Sequence, residues 1–368
     1  MDKMTPAVFA VGQDYEILLP VEKPSLFWVR VGEETYYDAS NGVMNTLSKI
    51  HRVTVPMEFL DRAGGYTVCI KPVIERKPYF TETGQTVEQT FSFCPVPENN
   101  IRAYHISDAH NLTAEPIRAA RAFGKIDFLI LNGDVIDHSG DPGKFANIYE
   151  ICAELTGGNI PVVFSRGNHD MQGNFAEKFA EYTPNQNGNT YYSFRLGSVW
   201  GVVLDCGEDK ADSHPEYGFT VACRPFRQRQ TAFLKSLIAN ASGEYEAAGV
   251  KTRLVISHTP FPQKNEGPFD IEEDIYREWC RLLREHIKPD LMICGHTHEA
   301  EVRHLRSEKD AYGQPCPLVV ASGYDDKTEW SGCGFTFGDS CAEAVLTDSE
   351  GKKLKKRVIS YCERRKQQ

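Results

Sequence analysis

The chain has 368 residues, a formal net charge of −10, 41% hydrophobic and 25% charged residues. That is the balance of a soluble globular protein long enough for two domains. The acidic balance disfavours a nucleic-acid polymer as partner, because phosphate contacts need clustered Lys and Arg. In chain order, Met1 to Pro20 lacks a basic region followed by an apolar core and a small-residue cleavage site. No apolar run reaches the roughly 18–20 residues that cross a bilayer. A cytoplasmic protein with no membrane contact is expected. Residues 1–99 then alternate short strand-like runs (Tyr15–Leu19, Leu26–Val31, Lys49–Val55, Tyr66–Ile70, Thr90–Phe93) with turns such as Gly32-Glu33-Glu34 and Ala63-Gly64-Gly65. Short strands at that spacing predict a small all-β, immunoglobulin- or fibronectin-III-like sandwich domain. Pro95-Val96-Pro97-Glu98-Asn99-Asn100 reads as a stiff polar linker.

From residue 100 to 368 the texture becomes α/β. Leu112–Phe123, Phe145–Leu155, Arg227–Ile238 and Ile271–Leu283 carry apolar residues at helical spacing. Thr190–Leu196 and Ser198–Leu204, split by Gly197, read as a hairpin. Five apolar runs each end in a polar, Gly-marked block: Ala103–Ile106, Phe128–Leu131, Val162–Phe164, Leu254–Ile256 and Leu291–Ile293. Each reads as a buried strand opening into a loop, and in open α/β sheets sites lie beyond the carboxyl ends of the strands. The strand-rich C-terminal part ends in a Lys/Arg-rich tail, read as an edge strand and a solvated end. The 11 cysteines are scattered with no C-x-x-C and read as small buried hydrophobes of a reducing compartment.

The five strand ends bring Asp108, His110, Asp134, Asn168, His258, His296 and His298 toward one place. Carboxylate, amide oxygen and imidazole suit borderline divalent metals such as Mn, Fe or Zn. No cysteine is among them, so a closed thiolate zinc site is not expected. One tetrahedral ion needs fewer ligands; two ions sharing a carboxylate would use them all. Three irregular stretches are candidates for a substrate pocket: Glu208–Phe226, Phe261–Asp270 and Tyr324–Gly332.

In order, Asp108-Ala109-His110, Gly133-Asp134-Val135-Ile136-Asp137, Gly167-Asn168-His169-Asp170, His258 and Gly295-His296-Thr297-His298 match a known series. They resemble the D-x-H, G-D-x-x-D, G-N-H-[DE], H and G-H-x-H blocks of the calcineurin-like metallophosphoesterase superfamily. The resemblance implies a layered α/β-β/α sandwich and a dinuclear phosphohydrolase whose nucleophile is a hydroxide between the metals. It implies Asp134 as the bridging carboxylate, Asp108, His110 and His298 on one metal, and Asn168, His258 and His296 on the other. His169 would be the general acid, with Asp170 or else Asp137 orienting its ring. Arg166 would grip a phosphate oxygen, as in the protein Ser/Thr phosphatase branch, unless it serves a structural ion pair. The N-terminal β-rich part loosely resembles the domain that precedes the catalytic part in purple acid phosphatases. That branch would carry Tyr at Asp137 and no His at His110, so a purple ferric site is not expected. The substrate expected is a small phosphoester, with a lean to phosphodiesters. Phosphomonoesterase or protein phosphatase activity is the alternative, and a non-catalytic metal-bound scaffold is a second; the oligomeric state is left open.

Overall fold

The computed structural model describes residues 5–321, 323–324 and 330–361. Among them two large sheets pack face to face, with helices on their outer sides. The first sheet runs Lys353–Ser360, Cys341–Asp348, Trp330–Phe337, Ile101–Ile106, Phe128–Asn132, Val162–Ser165, Ala7–Val11, Asp14–Val31 and Gly65–Arg76. Its middle strands Ile101–Ile106, Phe128–Asn132 and Val162–Ser165 are mutually parallel. The second sheet runs Tyr192–Leu196, Val199–Leu204, Thr252–Ser257, Leu291–Cys294, Leu318–Ala321 and Ala300–Arg303. Its strands from Val199–Leu204 to Leu318–Ala321 are parallel.

The strands alternate faces, as the two-residue period requires. Leu254, Ile256, Leu291, Ile293, Val319 and Ala321 point inward and share one core with the first sheet. Val255, Met292, Cys294, Leu318 and Val320 point outward, into a second core with Leu234, Leu237, Ile275 and Trp279 of helices Cys223–Ala239 and Glu273–Leu282. Helices Ala114–Phe123 and Ala146–Thr156 cover the other side, burying Ile117, Phe123, Ile148 and Ile151. The result is the layered α/β-β/α sandwich. Cys152, Cys280, Cys294 and Cys333 sit in these cores as small apolar groups. No helix among the described residues is long and apolar enough to cross a membrane.

The N-terminal region is β-rich, and its connection to the rest is edge to edge. Ala7–Val11 pairs parallel with Val162–Ser165 on one side and antiparallel with Asp14–Val31 on the other. The runs Tyr15–Leu19 and Leu26–Val31 are two parts of that one strand, whose pairing shifts between Pro20 and Ser25. Prolines cannot donate to a ladder and are tolerated at such irregularities. The polar stretch after residue 94 is packed: Val96 is buried, and Ser198 Oγ donates to Glu98 O at 2.8 Å.

Candidate metal centre

All five apolar runs are strands, and the loops that follow them meet at one end of the two sheets. From the first sheet come Asp108 and His110, Asp134, and Asn168 with His169; from the second come His258, His296 and His298. The turns are tight. Asp108 (φ 52), His110 (φ 43), Asp134 (φ 52), His296 (φ 71) and His298 (φ 55) all have left-handed backbone. Each such residue costs on the order of 1 kcal/mol or more, strain that clusters where function fixes geometry. Gly295 opens the last turn because a Cβ there would run into Ser107 Oγ and lie 2.6 Å from Asp108 Oδ2. Gly295→Ala is expected to displace Asp108 and cost about 1–3 kcal/mol. A lower melting temperature together with weaker Mn binding by calorimetry is the expected result; wild-type values for both would refute it.

Three groups of ligand atoms form among the described residues, each within 4.8 Å: Asp108 with His110 and His298, Asp134 with His258 and His296, and His110 with Asp137 and His169. His298 Nε2 lies 3.4 Å from Asp108 Oδ1, and His110 Nε2 lies 3.3 Å from His298 Nε2. His296 Nδ1 lies 3.0 Å from Asn168 Oδ1, which joins Asn168 to the second group. The buried His258 faces both carboxylates, its Nε2 3.0 Å from Asp134 Oδ2 and 3.7 Å from Asp108 Oδ1. All seven expected ligands are therefore gathered.

The donor set fits divalent cations. His258 Nδ1 donates to Asn132 O at 2.7 Å, which leaves the buried Nε2 to face the carboxylates. A backbone carbonyl on the far ring nitrogen is how metal-binding histidines are usually oriented. Without cations the same atoms settle their charge by protonation. Burial works against a charged His258, but Asp134 and Asp108 override it and push the ring up to about 10. Asp134, which burial would raise, is carried below its usual value by His258. His298 is raised by its hydrogen bond to Asp108, whereas burial lowers His110 and His296. His258 gains its proton on folding, since its folded value lies above the unfolded 6.5. The pairing therefore contributes fully below about pH 6.5 and is lost as pH rises through about 10. Chelator-treated protein is expected to melt at a lower temperature near pH 10 than near pH 7, and a flat profile between them would contradict the pairing.

His169 stands beside the first group, its ring 4.7 Å from that of His110. Its Nδ1 lies 2.8 Å from the backbone oxygen of Asp137, and the Asp137 carboxylate is 3.5 Å from His110 Nδ1. Asp137, not Asp170, thus meets the His169 ring. The fully buried Asp170 carboxylate instead accepts from Gly167 N at 2.8 Å and Asp134 N at 3.2 Å, tying two ligand loops together. Arg166 Nε donates to Asp205 Oδ2 at 2.8 Å.

Three supports lay outside the expected set. Asn132, at the end of its strand, donates to Ser257 O and Ile293 O of the second sheet while its own carbonyl holds His258. Buried His105, lowered to about 4 by burial, spans from Asn132 Nδ2 to Ala321 O. Asp205 ends Val199–Leu204, and its being an acidic residue after an apolar run was the readable signal. His138 and His214 accept from Gly140 N and Glu216 N in local turns. Of the pocket candidates, Glu208–Phe226 lines a cavity, and Phe261 is buried in the second core. The Tyr324 side chain and residues 325–329, Lys327 among them, lie outside the described residues, and Trp330 is buried with Nε1 on Ser107 O at 3.2 Å.

A family model described as calcineurin-like phosphoesterase matches residues 101–300. No curated protein matches the chain. Among solved structures, a purple acid phosphatase from yellow lupin (Lupinus luteus) seeds aligns with a TM-score of 0.60 at 14% identity, covering 98% of this chain and 74% of that one. A dimetal phosphatase from Danio rerio, with a TM-score of 0.49 and 11% identity, covers 72% of this chain and 100% of its own. At 14% identity the likeness to the lupin protein is one of fold, and it extends through the N-terminal β-rich region.

Proposed function

Because the chain belongs to the calcineurin-like phosphoesterase family, a family of metal-dependent phosphoester hydrolases, we propose that it cleaves phosphodiesters of small molecules. Asp108, His110 and His298 would hold one divalent cation, and Asn168, His258 and His296 the other, with Asp134 between them; Mn, Fe and Zn all suit these donors. Such cations, once bound, lower the pKa of water toward neutrality and offset charge on phosphoryl oxygens.

The chain's own groups do the rest. Asp137 O fixes the His169 ring through Nδ1 and leaves Nε2 to hand a proton to the departing oxygen. Asp170 keeps the Gly167 and Asp134 loops at a set spacing, so its part is to hold the ligands rather than to meet the substrate. Arg166 offers its terminal nitrogens to an anionic oxygen of the ester, since only Nε is spent on Asp205.

The observation that carries the diester preference is that same ion pair. Asp205 is fully buried and matches the Arg166 charge, so the site offers less net positive charge to a monoester dianion than a free arginine would. With Mn added, bis-p-nitrophenyl phosphate is expected to be turned over with a higher kcat/KM than p-nitrophenyl phosphate. The reverse order would make the protein a phosphomonoesterase. No turnover of either, with both cations bound, would leave a scaffold.

A further inference from the structure

Beside the metal centre lies a cavity of about 720 Å³ with a mixed lining. One wall is formed by the flanks of the ligand loop, Arg166 before Asn168 and Met171 and Gln172 after it. The facing part comes from the start of helix Cys223–Ala239, with Cys223, Phe226 and Arg229. Phe226 joins the two walls: the guanidinium carbons of Arg166 and Arg229 each lie 5.5 Å from its ring centroid. Two cations therefore gather on one aromatic ring. Arg166 is balanced by Asp205, whereas Arg229 has no carboxylate within ion-pair range among the described residues.

Two of the acidic groups lining the cavity are engaged elsewhere. Glu216 pairs with Lys210 at 3.1 Å. Glu208 is buried, accepts from Gln172 Nε2 at 3.4 Å, and burial pushes it up to about 7, so it is partly uncharged at neutral pH. Glu177 is exposed at the rim. Glu177 and Arg229 are both exposed lining groups outside any ion pair among the described residues, and Arg229 is the one seated on the Phe226 ring that Arg166 shares.

We propose that this cavity receives the organic group of the ester and that Arg229, seated on Phe226, binds a second anionic group carried by it, a phosphate or a carboxylate. The substrate class is then a phosphoester with a further negative charge beyond the bond that is cut. Arg166 stands between, its backbone leading into the ligand loop and its side chain lining the cavity. The inference rests on the phosphohydrolase reading and narrows it.

The test uses the Mn-loaded full chain and follows p-nitrophenolate release. One pair of substrates is bis-p-nitrophenyl phosphate and p-nitrophenyl carboxyphenyl phosphate. A second pair is thymidine 5′-(p-nitrophenyl phosphate) with and without a 3′-phosphate. One charge-assisted contact predicts a preference of about 10- to 100-fold in kcat/KM for the charged member of a pair, expressed in KM. The carboxylate pair and the phosphate pair distinguish which anion is bound. In Arg229→Gln the ratio within the preferred pair is expected to fall about tenfold, and Arg229→Lys to restore part of it. Equal rates within both pairs for the unaltered protein would overturn the subsite, as would a preference that survives Arg229→Gln. Failure to hydrolyse either bis-p-nitrophenyl phosphate or p-nitrophenyl phosphate would instead overturn the phosphohydrolase reading.

Discussion

Asp134→Asn is expected to lower kcat/KM on bis-p-nitrophenyl phosphate by at least about 1000-fold, which is about 4 kcal/mol of barrier. The size follows from how much converges on this one carboxylate. Its Oδ2 faces His258 at 3.0 Å, its Oδ1 accepts the His169 backbone N–H at 3.0 Å, and its own N–H is held by Asp170. Asparagine keeps the shape but offers one neutral oxygen where two charged ones stood, so it cannot serve two cations at once. Cation content measured by mass spectrometry should fall from two per chain, while circular dichroism stays unchanged. Activity within tenfold of the unaltered protein, with both cations retained, would remove Asp134 from its central place.

His169→Ala should leave the cations in place and slow turnover by about 100- to 10,000-fold on esters with alkyl leaving groups, the usual weight of a positioned proton donor. The loss should shrink on p-nitrophenyl esters, because p-nitrophenolate departs without a proton. That dependence on leaving group separates proton donation from loss of shape. The carbonyl of Asp137 that orients the ring is backbone, so Asp137→Asn should preserve the orientation and cost far less than His169→Ala. A uniform loss across leaving groups would mean that His169 holds the site together rather than handing on a proton.

Much of this arrangement was legible in the residues. The strands that carry the site are short apolar runs cut off by Gly, Asp or His, and burial on both faces makes such runs continuous rather than alternating. The helices were legible from their spacing, with Trp279 and Leu282 of Glu273–Leu282 buried as one stripe. What stayed hidden was carried by backbone or by pairing between distant segments. The Asp137 contact to His169 uses a carbonyl, which every residue has. Asn132 and His105 act across the interface of two sheets, and no local pattern records which strand ends will face each other. Ala7–Val11 is buried along its whole length and has no alternation to mark it. The helix Met57–Ala63 lies inside what reads as strand and turn, and Gly64 closes it in the left-handed conformation.

The pairing of Phe9 with Val162 has a consequence for how the chain is made. Ala7–Val11 finds Asp14–Val31 at once after synthesis, through a near-neighbour antiparallel pairing. Its other edge must wait until the Val162 segment has been synthesised, and contacts so far apart in sequence are slow to form. During that interval the nascent protein presents an apolar, half-paired ribbon, the kind of surface that sticks to its like. Production of this protein should therefore respond to slower translation and to chaperones that shield early strands.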